Sequence, residues 1–163
     1  MARILIVGCG CRGRGLAASL MDHGHRVRGT TRSPGRLAAI EATGAEAVVA
    51  DPDRLGTLLR HLDGVSVVCW LMGSATGDSD SVAALHGPRL QSMLAKLVDT
   101  PVRGLVYEAA GTVPARVLRG GGAIAREAAL THRMPIQVVD QGSAPVREWI
   151  VAMTLAARAI LTA

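Results

Sequence analysis

The chain has 163 residues, 49% apolar and 19% charged, which suits one globular domain and excludes a disordered chain. Its net charge of +5 rests on seventeen Arg and the single Lys96, spread along the sequence. With two Trp and one Tyr it lacks the clustered cations and stacking aromatics of a nucleic-acid binder. Cys9, Cys11 and Cys69 form neither a disulfide framework nor a Cys-x-x-Cys pair, so a reduced cytoplasmic compartment and no metal site are expected. Met1-Ala-Arg leads straight into an apolar run, so no signal peptide is expected, and Arg147, Glu148 and Arg158 interrupt the apolar C-terminal stretch too often for a membrane helix.

Ile4 to Val7 reads as a buried strand that empties into glycines, and Leu16, Ala17, Leu20 and Met21 then repeat at helical spacing. Gly8, Gly10 and Gly13 fit Gly-x-Gly-x-x-Gly. In that pattern the first glycine makes the turn, the second lets a pyrophosphate approach the backbone, and the third lets helix and strand pack closely. The phosphates of a dinucleotide would sit on the helix N-terminus beside Cys11 and Arg12, where free N–H groups favour negative charge. Arg12 and Arg14 are bulky cations in this loop that could clasp the phosphates or fill their place.

Gly24 closes the first helix, and Arg26 to Thr31 reads as a second strand. No acidic residue stands between Asp22 and Glu41, where an NAD site supplies a carboxylate to the ribose. Arg32 instead offers a planar fork for a 2′-phosphate, with Thr30, Thr31 and Ser33 as hydroxyl donors, so NADP is favoured over NAD. Pro34 opens a second helix that ends at Gly44, and Ala45 to Ala50 forms a third strand. Asp51 then flanks the adenine or caps the next helix, Arg54 to His61, with Asp53 the better cap.

Val65 to Leu71 is a nearly unbroken apolar run, as in a parallel strand covered on both faces. The small-residue loop after it, from Leu71 through Gly73 to Asp78, should line the nicotinamide side. Ser81 to Val98 reads as one helix bent or reset at Gly87-Pro88, with His86 and Arg89 as surface residues. Val102 to Tyr107 is the fifth strand, Gly120-Gly-Gly122 precedes a helix from Ala123 to His132, and Pro135 to Asp140 is the sixth strand. From Ala144 onward Val146, Trp149, Ile150, Met153, Ala157 and Ile160 form one apolar helical face, which covers the sheet or makes a dimer contact. Six alternations of strand and helix imply an α/β fold: a doubly wound (Rossmann), mostly parallel six-stranded sheet with helices on both faces.

Val7-Gly-Cys-Gly-Cys-Arg-Gly-Arg-Gly-Leu-Ala17, Gly24-His25, Val27-Arg-Gly-Thr-Thr-Arg32 and Val102-Arg-Gly-Leu-Val-Tyr-Glu108 resemble an extended or atypical short-chain dehydrogenase/reductase of the NAD(P)-dependent epimerase/dehydratase type. The resemblance covers most of the chain in outline and is strongest over the first 35 residues. It implies a Rossmann domain with NADP held at Gly8 to Gly13 and at Arg32, and substrate contacts from a C-terminal subdomain; residues 1–163 are expected to form the single NAD(P)-binding domain and to lack that subdomain. The family's Tyr-x-x-x-Lys pair has no counterpart between Pro114 and Pro135, and its Ser or Thr at the end of the fifth strand is replaced by Ala109-Ala110. No catalytic residue is therefore assigned.

The expected function is an NADP(H)-binding module, one that senses redox state or works with a partner. The alternatives are a small NADPH-dependent reductase using Tyr107, His86 or Glu108 as its acid, or a scaffold that has lost nucleotide binding. A homodimer would suit a chain of this size, a second subunit covering the ligand mouth.

Overall fold

The computed structural model describes residues 1–141 and 144–163. The apolar runs become six strands: β1 (Arg3–Val7), β2 (Arg26–Thr31), β3 (Glu46–Val49), β4 (Val65–Trp70), β5 (Gly104–Glu108) and β6 (Ile136–Val139). All pair in parallel in the order β3-β2-β1-β4-β5-β6. This is the doubly wound Rossmann order, with the direction of winding reversing between β1 and β4, where such sheets leave a crevice at their C-terminal ends. The central strands β1, β4 and β5 are apolar on both faces and almost wholly buried, whereas the edge strands β3 and β6 have four residues each and are partly exposed.

Strand alternation sorts the side chains into two layers. Ile4, Ile6, Val67, Cys69 and Val106 face α1 (Cys11–Asp22) and α7 (Val146–Thr162), in one cluster with Leu16, Leu20, Trp149, Met153 and Ile160. Leu5, Val7, Val68, Trp70, Leu105 and Tyr107 face the opposite layer, built from α3 (Leu55–Leu59), α4 (Ser79–Leu85), α5 (Pro88–Leu97) and α6 (Ala115–His132). The short α2 (Leu37–Glu41), after a 3-10 turn at Pro34–Arg36, adds Ile40 to the first layer. The apolar face of α7 therefore covers the sheet, although Val146 at its start is exposed. No helix among the described residues is long and apolar enough to cross a membrane.

Three expectations change. The segment 81–98 is two helices: Gly87 breaks the chain direction and Pro88, with no N–H to donate, opens α5 at its first position. The glycines 120–122 lie inside α6, which begins eight residues earlier than the Ala123 expected from their helix-breaking tendency. Gly121 is tolerated there because it meets the Tyr107 hydroxyl, and a Cβ would stand 2.6 Å from the Tyr107 ring carbon that bears it. Asp53 does not cap α3, whose N-cap is Arg54 without a side-chain bond. Asp53 instead pairs with Arg89 at 2.9 Å, and Asp51 accepts the Asp53 N–H at 2.9 Å in a local turn.

Candidate functional site

The β1–α1 turn is shaped by close approach. Gly8 has φ +83°, and a Cβ there would lie 2.6 Å from the Leu71 carbonyl oxygen, so only glycine fits. The Gly8 N–H donates to Thr30 Oγ1 at 3.2 Å and the Cys9 N–H to the Thr30 carbonyl at 2.9 Å, which ties the turn to β2. At Gly13 a Cβ would stand 3.2 Å from the Gly8 carbonyl, the tight helix–strand contact expected of the third glycine. Gly10 differs from both: nothing lies within 4 Å of its Cβ position. It is the N-cap of α1, and no side chain caps the first N–H groups of that helix.

That open space belongs to a cleft of about 580 Å³ at the C-terminal ends of the strands. Of the residues singled out from the sequence, Gly8, Gly10, Cys11, Arg12, Gly13, Thr30, Thr31, Arg32 and Leu71 line it together. Asp51 and Gly73 do not, although their neighbours Ala50, Pro52, Met72 and Ser74 do. The Asp51 carboxylate is spent on the turn described above, and the Gly73 N–H donates to Glu108 Oε1 at 2.9 Å. Thr30 is buried and engaged with Gly8, and Thr31 Oγ1 accepts the Ser33 N–H at 3.1 Å. At this end of the cleft Arg32 and Arg36 are exposed and form no ion pair among the described residues. Arg36 was not singled out from the sequence; its signal was its place in the same short polar stretch after β2, at the end of the 3-10 turn.

Across the cleft, alternation along β5 separates two polar residues. Tyr107 points into the α4–α6 layer, wholly buried. Its hydroxyl donates to His86 Nδ1 at 2.6 Å, while His86 Nε2 donates to the Met72 carbonyl at 2.8 Å. His86 is therefore a buried link, not the surface residue expected, because the short α4 ends at it and turns it inward. Neither lines the cleft, which removes both as acids acting there. Burial holds His86 below its ordinary 6.5. The unfolded chain then takes up a proton near pH 6.5 that the folded chain refuses, so stability present above pH 6.5 is lost as pH falls towards the folded value. Thermal midpoints measured from pH 8 to pH 5 should fall more steeply below pH 6.5 in the native protein than in His86→Gln.

Glu108 points the other way, into the cleft, and is only 4% exposed. Its Oε2 lies 4.0 Å from an Arg12 terminal nitrogen, and the Arg12 guanidinium stacks 4.2 Å from the centre of the Trp149 ring. The Trp149 indole N–H turns towards the Glu108 carboxyl without reaching hydrogen-bond geometry. Burial pushes the Glu108 carboxyl above its usual range, offset only in part by the Gly73 N–H, Arg12 and Trp149. Sequence reading placed Glu108 near the site but gave Trp149 only to an apolar face that covers the sheet or makes a dimer contact; that it is both core and cleft wall follows from α7 crossing beside α1. Cys9 and Cys69 are buried, their thiols pushed up to about 11 and about 12, and Cys11 is exposed at the cleft.

No protein-family model matches this chain, and no curated protein matches its sequence. Solved structures do match. A short-chain dehydrogenase/reductase superfamily protein from Agrobacterium tumefaciens, with bound NAD, aligns over 83% of this chain and 48% of its own, with TM-score 0.67 and 22% identity. The Citrobacter sp. triphenylmethane reductase, complexed with NADP(H), aligns over 83% and 48%, with TM-score 0.61 and 17% identity. This chain shares the Rossmann fold of these two structures. It spans about half the length of those two proteins. A protein of 90% matched length, described as a short-chain dehydrogenase/reductase family oxidoreductase from Aeromonas hydrophila, aligns over 94% of this chain with TM-score 0.71 and 14% identity.

Proposed function

We propose that this Rossmann domain binds NADP(H) in the cleft and works as a cofactor-binding or redox-sensing module without the Tyr-x-x-x-Lys chemistry of the proteins it resembles. The observation that carries the reading is the open cradle at Gly10, over an uncapped helix N-terminus, between the sterically required Gly8 and the tightly packed Gly13. A pyrophosphate needs that combination: donors that are unspent and a backbone it can touch. Arg32 and Arg36, unpaired at the end of β2 with no carboxylate beside them in the cleft wall, suit a 2′-phosphate. The nicotinamide would supply hydride chemistry when bound, and the protein would supply binding and orientation.

Titration of the purified protein with NADPH and NADH, followed by nicotinamide fluorescence or heat, tests this. NADPH should bind at least about tenfold more tightly than NADH, and Arg32→Ala should remove about tenfold of NADPH affinity while leaving NADH nearly unchanged. Equal affinities would remove the NADP assignment, and no binding of either nucleotide at millimolar concentration would leave the scaffold reading in its place. The reductase reading is favoured by one observation: Glu108 is a buried carboxyl in the cleft with a raised proton affinity, the environment of a proton donor.

A further inference from the structure

We propose that Glu108 makes this cleft discriminate the redox state of the bound dinucleotide, favouring the oxidised, cationic nicotinamide ring over the reduced, neutral one. The inference rests on the dinucleotide reading above and goes beyond it in naming which form is held. In a sheet of order 3-2-1-4-5-6 each half takes one mononucleotide, and the ligand crosses the switch point between β1 and β4. The free cations Arg32 and Arg36 follow β2, so the 2′-phosphate and its adenosine belong to the first half. The nicotinamide then falls over the ends of β4 and β5. Glu108 is the last residue of β5, and it carries the only carboxylate among the described residues lining the cleft.

A ring that loses its formal positive charge on accepting a hydride also loses its attraction to that carboxylate. The difference acts in a confined, partly desolvated wall, where a charge is felt more strongly than in water. Arg12 is the counterweight. Its guanidinium, side chain about one-third exposed, lies 4.0 Å from Glu108 and has no second acidic partner among the described residues. Arg12 is also the second residue of α1, beside the Gly10 cradle. A pyrophosphate there shares Arg12 with Glu108, so Glu108 faces the ring with its charge offset only in part. Because Arg12 meets the pyrophosphate of both redox forms alike, its phosphate contact cancels in the ratio of their affinities and only its offset of Glu108 remains.

The test is calorimetric titration at pH 8 with NADP+, NADPH and adenosine 2′,5′-bisphosphate, which has no nicotinamide, on the native protein, Glu108→Gln and Arg12→Gln. The NADP+ to NADPH affinity ratio should fall about tenfold in Glu108→Gln, with bisphosphate binding unchanged, and should rise in Arg12→Gln even as both dinucleotides weaken. The two variants move the ratio in opposite directions, so the inference stays testable should either fail to fold. An unchanged or raised ratio in Glu108→Gln, or an unchanged or lowered one in Arg12→Gln, overturns it while leaving the cofactor reading intact. Failure of the bisphosphate to bind the native protein would instead overturn the cofactor reading.

Discussion

Gly121→Ala should destabilise the protein by about 2–3 kcal/mol, while Gly120→Ala, one residue away in the same helix, should stabilise it by up to about 1 kcal/mol. Both glycines lie inside α6, where alanine is intrinsically the better helix former, so propensity alone predicts two gains. Packing reverses the first. A Cβ at Gly121 would overlap the Tyr107 hydroxyl and come within 3.2 Å of the His86 carbonyl, in a layer where Tyr107 is wholly buried and hydrogen-bonded. At Gly120 nothing lies within 4 Å. Thermal midpoints should separate the variants, Gly121→Ala falling by about 5–10 °C for a domain of this size. Tyr107→Phe removes the obstructing oxygen, so the double variant should lose less than the sum of the two single losses. Additive losses would mean that the hydroxyl is not what excludes a side chain at Gly121.

Gly10→Val should abolish nucleotide binding, by at least about 100-fold, and leave the thermal midpoint within a degree or so of the native value. The residue has φ −81° and ψ −156°, an extended conformation that β-branched side chains accept readily, and its Cβ would enter empty cleft. The new methyl groups would occupy the place where a pyrophosphate must touch the backbone. Gly8→Val should behave in the opposite sense, since φ +83° and the Leu71 carbonyl penalise any side chain before a ligand is involved. Titration with NADPH beside a melting curve for each variant checks both. Native-like NADPH binding by Gly10→Val would mean that the glycine turn serves the fold and that the ligand, if there is one, sits elsewhere.

Much of this was legible in the chain before folding. The six strands and their alternation with helices follow from apolar period and turn residues, which are local signals, and β2 was placed at its observed limits because Gly24 and Pro34 bracket it. The spacing of Gly8, Gly10 and Gly13 marked the cleft for the same reason: a turn of fixed geometry needs its glycines at fixed offsets. Arg32 was singled out by what is missing around it, an acid at the end of β2. Spacing could not show that the three glycines do different work, because the Leu71 carbonyl that forbids a side chain at Gly8 comes from just beyond the end of β4, far along the chain.

Tertiary structure decided the rest. Tyr107 and Glu108 are neighbours in sequence and were equal candidates for an acid. The pleat of β5 sends one into the α4–α6 core to bond His86 and the other into the cleft beside Arg12. A run buried on both faces carries no alternation from which its sides can be told apart, so the sequence of a central parallel strand does not say which residue faces which layer. Nor could it join Arg12 to Trp149, which lie near opposite ends of the chain and stack at 4.2 Å only because α7 packs beside α1. The sequence by itself determined a doubly wound sheet and the turn that opens its cleft, because both are written in short-range period and glycine spacing. Which charged and aromatic side chains meet in that cleft was decided by long-range packing, because their neighbours are set by strand order and helix placement.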